Sequence, residues 1–579
     1  MINNPGVEYG SKVKAVIKIE TIKPTGDGLS GWFNTSVTQN NALSWSTSAD
    51  LNYRTGNVDI FGDIIYGHTN RKQSIENSYG IIGDNTYRSI DSSAREIASK
   101  YVETTLGVNY TPNAHTSMGI RYNFERTPSD RKITQAQSQL HLNDILLDSC
   151  DIQSENIKTE QSTSHHVNAY HNGAIDEIIE WSLNADMLLG QSVDEQHATD
   201  KYLGHNRTEE LHSTGKQQYN LTSARLVLSA PIWIGTLMGG GEFAHTNNKQ
   251  QFDVSSSDSL TPLGANNNHA RQTQWAAFLM YNLFLGENMD VELGIRYENT
   301  NFEYLVDGQL QANPRYNDPF PMLGFNFYTD VVDASLSYKR TVDRPSYYQL
   351  RNSTQYNSPY SYEAGNPYLL PTIVNQFSLL VQLKKPKITL SADYYNSKDA
   401  SILIPRPLND RAAIMRFENF DRYNTLALAA NYAPRIGIWR PNVEIGWTKN
   451  FFEYQGQSFN KPIFEAKTRS IFELHKTLQL GITLSYRTSG HSEVDYVHSQ
   501  LNLNTYLTAR LFNERLQLTL RGLNLLNTPY EYHRIINNVD THLINHLNGR
   551  GITFSASYNF NATKSKYKGE DSSDEIYRL

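Results

Sequence analysis

The sequence predicts an all-β fold, a large transmembrane antiparallel β-barrel of about 22 strands. Three observations lead there. Apolar and polar residues alternate with a period of two almost to the end of the chain, as they do in strands with one wet and one apolar face. Many of these runs look ten to fifteen residues long, where soluble strands average about five or six and a tilted membrane strand needs roughly nine to eleven. The connections alternate between short and long, as turns at one end of a barrel and loops at the other would. Soluble sandwiches also alternate, so the second and third observations decide between the two.

Composition agrees. The 579 residues are 39% hydrophobic, 11% aromatic and 19% charged, with a formal net charge of −7. A chain of this length ordinarily divides into several domains, but large barrels exceed that rule. The apolar share is low because only one face of each strand is apolar. The 36 tyrosines outnumber the 22 phenylalanines, which suits surfaces where an aromatic body is buried and its hydroxyl stays wet. No apolar run reaches about 18 residues, so a helical span is excluded, and strands are untouched by that test. Mild acidity without a basic stripe argues against nucleic acid. Cys150 stands alone, so an intrachain disulfide framework and a cysteine-based metal cluster are excluded.

In chain order, strands are expected near 29–40, 42–56, 58–72, 96–113, 115–130, 163–175, 177–191, 217–233, 235–254, 273–286 and 289–306. The second half continues with 319–331, 332–344, 374–386, 387–401, 412–433, 440–454, 463–476, 479–490, 498–512, 515–527 and 551–562. In the second strand Leu43, Trp45, Ala49, Leu51 and Tyr53 share a face. In the eleventh, Val291, Leu293, Ile295 and Tyr297 oppose Glu292, Gly294, Arg296 and Glu298. Val443, Ile445 and Trp447 mark the seventeenth, and Leu480, Ile482, Leu484 and Tyr486 the nineteenth. Ile552, Phe554, Ala556, Tyr558 and Phe560 form the apolar face of the last. Short turns fall at Arg54–Asn57, Thr111–Ala114, Leu285–Asn288, Lys384–Lys387 and Phe512–Arg515. Long polar stretches fall near 73–95, 131–162, 192–216, 255–272, 345–373 and 528–550. No convincing amphipathic helix exceeds two turns, and no repeat of a propeller kind stands out.

In such a barrel the apolar face meets lipid and the polar face meets the lumen. Closure pairs every backbone donor and acceptor, which hydrocarbon demands. Arg296, Glu298, Glu444, Arg487 and Arg510 are then luminal, and Trp32, Trp181, Trp233, Trp439, Tyr53 and Phe560 are expected in the aromatic girdles.

No enzyme constellation is present: there is no nucleophile elbow, phosphate loop or zinc-protease spacing, and no cofactor is expected. Gly239-Gly240-Gly241 lies within a strand and reads as a bend in the wall. His165 and His166 are adjacent on a strand and point to opposite faces, a poor chelate. His542 and His546 are weak metal candidates that could pair only if helical; exposed loop histidines are the default. The loop 345–373 is the best ligand candidate. It and its approach hold Arg344, Tyr347, Tyr348, Arg351, Tyr356, Tyr360, Tyr362, Asn366 and Tyr368, and aromatic and amide groups together capture ligands by stacking and hydrogen bonding. The competing reading is that this Pro-rich stretch folds the loop down onto the rim.

Three segments carry a family resemblance. Asn4-Pro5-Gly6-Val7-Glu8-Tyr9-Gly10, with Lys14–Ile19 and Lys23-Pro24-Thr25-Gly26-Asp27-Gly28, is similar to the last strand of the plug domain of TonB-dependent outer-membrane receptors. In that motif Pro5, Glu8 and Tyr9 stand for the family's Pro-x-x-Glu-Tyr turn. Tyr338–Leu350 with Gly365-Asn366-Pro367-Tyr368-Leu369-Leu370-Pro371 resembles the Arg-Pro and Gly-Asn-Pro elements of the family's large mid-barrel loop. Leu523-Asn524-Leu525-Leu526-Asn527 and the closing strand resemble its final two strands, with Tyr558 and Phe560 as the aromatic pair read by the barrel-assembly machinery. The flavour is closest to the outer-membrane β-barrel family common in Bacteroidetes.

The resemblance implies residence in the outer membrane of a Gram-negative bacterium and uptake of a nutrient: a metal chelate, haem, vitamin, glycan or peptide. It implies outer-membrane lipid as a partner, a surface lipoprotein as a candidate one, and the TonB complex only if the missing plug is supplied. The expected domains are a plug remnant at 1–28, the barrel at 29–562 and a polar periplasmic tail at 563–579. Members of the family begin with a signal peptide, a TonB box and a full plug, so the resemblance implies a truncated receptor or a start assigned too late. Such a chain is not drivable by TonB as it stands. The alternatives are a passive pore, a surface adhesin or scaffold barrel, and a soluble all-β binding protein.

Overall fold

Each alternating run becomes a strand with its apolar side chains turned outward. The computed structural model describes residues 7, 27–158, 162–176, 178–257, 263–547, 549–561 and 567–579. Among them, 22 antiparallel strands form a closed barrel. The first, Gly28–Gln39, is sealed to the last, Gly551–Phe560, in a register from Gly31↔Phe560 to Gln39↔Ile552. The described residues match the expected order strand for strand, and the sixth spans Thr163–Ile175 as expected. Pro5, Glu8 and Tyr9 lie outside the described residues. Val7 is buried against Phe278, Met280 and Met322 on the luminal wall.

The strands differ from expectation in length. Val58–Ile81, Tyr87–Asn113, Thr116–Leu142, Ile179–Tyr202 and Arg207–Ile232 run 24 to 27 residues. That is more than twice what a membrane crossing requires, so these strands project beyond the bilayer. Stretches expected as loops continue the sheet instead, because a strand with no face in lipid, whose inner face buries polar and apolar side chains alike, does not advertise itself by alternation. Ile145–Lys158 inserts between the upper halves of the fifth and seventh strands, directly above the shorter sixth. In the same way Val539–Leu547 pairs with Gln73–Ile81 of the third strand.

The faces sort by chemistry. Val443, Ile445 and Trp447 oppose Thr468, Ala466 and Phe464 toward lipid, while Glu444 and Gly446 oppose Lys467 and Glu465 toward the lumen. Trp32 departs from the girdle reading. Its cross-strand partners are Asp50 and Asn559, so it shares the luminal face of Ser30 while Phe33 stacks on Phe560 outside. On the luminal side, aromatic rings cover facing glycines: Phe61 over Gly107, Tyr219 over Gly190, Phe278 over Gly240 and Tyr506 over Gly481. A ring laid on a glycine lets the curved wall close without leaving a gap.

A 22-stranded lumen is too wide for its own side chains to fill. Here residues 567–579 occupy part of it, where a polar tail in the periplasm was expected. Tyr567 packs edge-on against Tyr170 at 5.0 Å. The Ser572 amide donates to Asp186 at 2.6 Å, and Arg225 pairs with Glu570 at 3.1 Å. The 3-10 turn Asp574–Arg578 ends with Arg578 donating to Gln272 at 2.7 Å and to the Pro345 carbonyl at 2.8 Å. The physical reason is complementarity. The wall offers buried Asn168, Asn184, Asp186 and Arg225, none more than 4% exposed, and a segment rich in Asp, Glu, Ser and Arg satisfies them better than an empty lumen would.

Gly240 gives a direct test of the glycine–aromatic packing. A Cβ there would lie 2.1 Å from the Leu226 carbonyl and 2.6 Å from Phe278. Gly240→Val is expected to cost about 1–3 kcal/mol, read as a lower urea midpoint of the lipid-reconstituted barrel. An unchanged midpoint contradicts this packing.

Candidate functional site at the barrel mouth

The thirteenth strand, Val332–Asp343, delivers Arg344 to the top of the lumen. Its guanidinium meets Glu298 at 2.6 Å; Glu298 also takes Arg296 at 2.6 Å, and Arg296 reaches Glu242 at 2.8 Å. Arg296 and Glu298 are 1% exposed. Four charges thus form an alternating buried chain, a geometry in which each ion depends on its neighbours for the solvation it has lost.

From that anchor the chain crosses the mouth. Arg351 lies 3.6 Å over the Tyr348 ring, donates to the Tyr348 carbonyl at 2.8 Å and pairs with Glu363 at 2.9 Å. Gly365 is required there, since a Cβ would lie 2.3 Å from the Arg351 carbonyl. A short hairpin, Thr354–Ser358 with Ser361–Ala364, follows. Its second strand runs parallel to Ala413–Arg416 of the sixteenth barrel strand. Its first reaches the far wall, where the Tyr356 hydroxyl donates to Asp200, Gln196 donates to the Tyr356 carbonyl at 3.1 Å and Ser358 donates to Asp91 at 3.1 Å. Tyr356 and Tyr362 pack with Ala198, Leu211 and Ala412. The space left between Asp200, Tyr202, Glu209, Tyr356 and Tyr362 is about 30 Å³, roughly one water. The loop is a cap docked at both ends.

This placement divides the candidate residues. Arg344, Tyr347, Arg351, Tyr356, Tyr360 and Tyr362 are buried within the cap or beneath it. Asn366 is half-buried, its side chain donating to the Phe417 carbonyl at 2.9 Å. Tyr348 and Tyr368 are exposed, at 48% and 58%, and their hydroxyls donate to Glu363 and Gln311. Tyr558 and Phe560 lie on the outer face of the closing strand as the alternation requires. His542 and His546 sit on the strand Val539–Leu547. A strand advances about 3.3 Å per residue, so their spacing of four separates them instead of stacking them as a helix would. His166, Asp186 and Asp571 form the tightest His–carboxylate group among the described residues. They are already engaged, His166 with Asp186 at 2.7 Å and Asp571 with Arg121 at 3.3 Å.

Sequence reasoning missed two features. One is the far-wall anchor, Asp91 and Asp200, which nothing distinguishes in sequence from other polar strand residues. The other is an open luminal strip. Glu444, placed inside by its alternation, is joined by Glu465, Lys467, Arg469 and Arg521, which face the lumen by register and are exposed, whereas the luminal residues of the third to eleventh strands are largely buried or half-buried. Charge on every second residue over 465–469 was the available signal.

The comparisons agree with this architecture. The model of the outer membrane protein beta-barrel family matches residues 176–558. No curated relative matches the sequence. Among solved structures, the copper transporter OprC superposes with a TM-score of 0.62 at 11% identity, covering 93% of this chain and 82% of that one. The siderophore receptor PiuA from Acinetobacter baumannii gives 0.60 at 11%, covering 92% and 82%. The ferric yersiniabactin uptake receptor FyuA from Yersinia pestis gives 0.56 at 12%, covering 93% and 81%. At these identities the likeness is one of fold.

Burial pushes the Asp200 carboxyl up to about 6, with the Tyr356 hydroxyl pulling the other way, and burial raises Asp91 as well. A carboxyl with a raised value in the docked state favours docking when protonated. Docking is therefore strongest below about pH 4, near the value of a free carboxyl, and weakens as pH rises through about 6. Backbone hydrogen exchange in 354–364, corrected for the intrinsic pH effect, should show greater protection at pH 5 than at pH 8. Asp200→Asn should remove most of that difference; equal protection at both pH values in the unaltered protein contradicts the assignment.

Proposed function

The chain belongs to the outer membrane protein β-barrel family, and we propose that it acts as a receptor that carries a nutrient across the outer membrane of a Gram-negative bacterium. The observation that carries this reading is the pairing of a docked cap with an open strip. Residues 345–371 close the mouth by contacts to both walls, while Glu444, Glu465, Lys467, Arg469 and Arg521 stay exposed along the lumen below. A passage closed by a movable element and lined with both signs of charge suits gated transfer of a polar solute.

The ligand first meets Tyr348 and Tyr368, the two loop aromatics that remain accessible, by stacking on their rings and hydrogen bonding to the nearby amides. Undocking of the hairpin 354–364 from Asp91 and Asp200 then opens the route to the strip. The substrate class is a solute too large for porins: a metal chelate, haem, vitamin, glycan or peptide. Siderophore and copper receptors built on the same barrel favour the metal-chelate end of that range. Where a plug is supplied, energy comes from TonB acting on it, as the resemblance of residues 4–28 to a plug's last strand suggests. The reaction is binding and translocation without covalent chemistry.

Planar-bilayer recording separates this reading from a passive pore. The receptor reading predicts little steady conductance from the unaltered protein, and bursts of opening when the cap is released by Tyr356→Ala with Ser358→Ala. A large, stable, ohmic conductance in the unaltered protein would identify a passive pore.

A further inference from the structure

The extracellular hairpin Tyr530–Ile536 with Val539–Leu547 pairs His533 directly with His542 across its strands. Glu531, two residues before His533, lies on the same face because side chains alternate along a strand. The short strand Asp495–Val497 adds to this hairpin, with Tyr496 opposite His533, and so brings His498 alongside. The result is two imidazoles, His542 and His498, at one carboxylate, with the third ring, His533, beside His498. His542 Nε2 lies 2.9 Å and His498 Nε2 3.7 Å from the same oxygen, Glu531 Oε1. His498 Nε2 lies 3.2 Å from His533 Nδ1.

An ordinary ion pair explains only part of this. Glu531 can pair with one imidazolium, and His542 satisfies it. The His498–His533 contact has room for a single proton between two ring nitrogens, so the two rings cannot both be cations in this arrangement. Neutral imidazoles with a carboxylate are the donor set of a borderline divalent transition metal. The rings are held in place by Tyr496, whose centroid lies 4.9 Å from His533 and 5.6 Å from His498. His498, His542 and Glu531 keep 30% to 41% of their side-chain surface exposed, so an ion can enter from outside.

We propose that His498, His533, His542 and Glu531 form an extracellular binding site for a zinc-class divalent metal ion. Binding requires modest side-chain rotation to gather the donors on one ion and no change in the backbone, since Glu531, His533 and His542 are placed by paired strands and His498, just past Asp495–Val497, by its amide donating to the Glu531 carbonyl at 2.9 Å. The site stands apart from the cap and the luminal strip, and does not depend on what the barrel transports.

The test is calorimetric titration of the detergent-solubilised full chain with Zn²⁺ alone. One saturable equivalent is expected, and His498→Ala with His542→Ala should weaken it at least about tenfold. His533→Ala should do the same, because its ring is a donor and not a wall. Each variant is checked for folding by heat-modifiable migration on a gel. The control is His197→Ala with His212→Ala. These rings stack at 4.2 Å on a different part of the extracellular wall, and their removal should leave the affinity unchanged. Absence of saturable binding in the unaltered chain overturns the proposal. So does retained affinity in the folded His498/His542 variant, or a loss confined to the control.

Discussion

Hydrocarbon offers no hydrogen bonds, so every backbone group at membrane depth must be paired by the chain itself. The seam between Gly31–Gln39 and Ile552–Phe560 meets that demand here, and the rest of the structure follows from it. Closure forces each strand to send one face to lipid and the other inward. Twenty-two strands make the interior too wide to be filled by wall side chains. The remaining problem is therefore an internal one: what satisfies the polar groups that closure has turned inward.

The molecule solves it with charge placed against charge. Arg344, Glu298, Arg296 and Glu242 form one buried chain. Residues 567–579 extend it, through Arg578 to Gln272 and Pro345 and through Glu570 to Arg225. Pro345 joins the two systems, because it follows the last residue of the charge chain and begins the cap. Cap and luminal filling are thus mechanically contiguous. What the filling leaves uncovered, on the seventeenth, eighteenth and twenty-first strands, is a luminal surface that combines exposure with charge on every second residue over 465–469.

The transmembrane wall was legible because its residues obey one rule. Ile552, Phe554, Tyr558 and Phe560 alternate with polar partners, and parity alone places them outside. Trp32 was misplaced because its aromatic character was weighed above that rule; parity puts its ring among luminal positions, next to Phe33 on the lipid side. Above the membrane the rule loses its physical basis. Neither face of 73–81 and 131–142 meets lipid, and the inner face buries Ser138 as readily as Ile75, Ile81 and Leu140, so no alternation of apolar and polar residues separates strand from loop. The cap was legible as a Tyr- and Pro-rich segment, yet the partners that bury Tyr356 and Ser358 are Asp200 and Asp91, distant in sequence and unremarkable in pattern. Residues 567–579 read as a flexible tail because charge usually signals solvent, and only the complementary wall shows otherwise.

The account rests on which side of the wall is wet. Cysteines placed singly at positions 464 to 469 and probed in native membranes with a water-soluble thiol reagent measure this directly, with the buried Cys150 giving little background. The account predicts that Glu465→Cys, Lys467→Cys and Arg469→Cys react while Phe464→Cys, Ala466→Cys and Thr468→Cys do not. Uniform labelling across the six positions, or the inverse alternation, would contradict it.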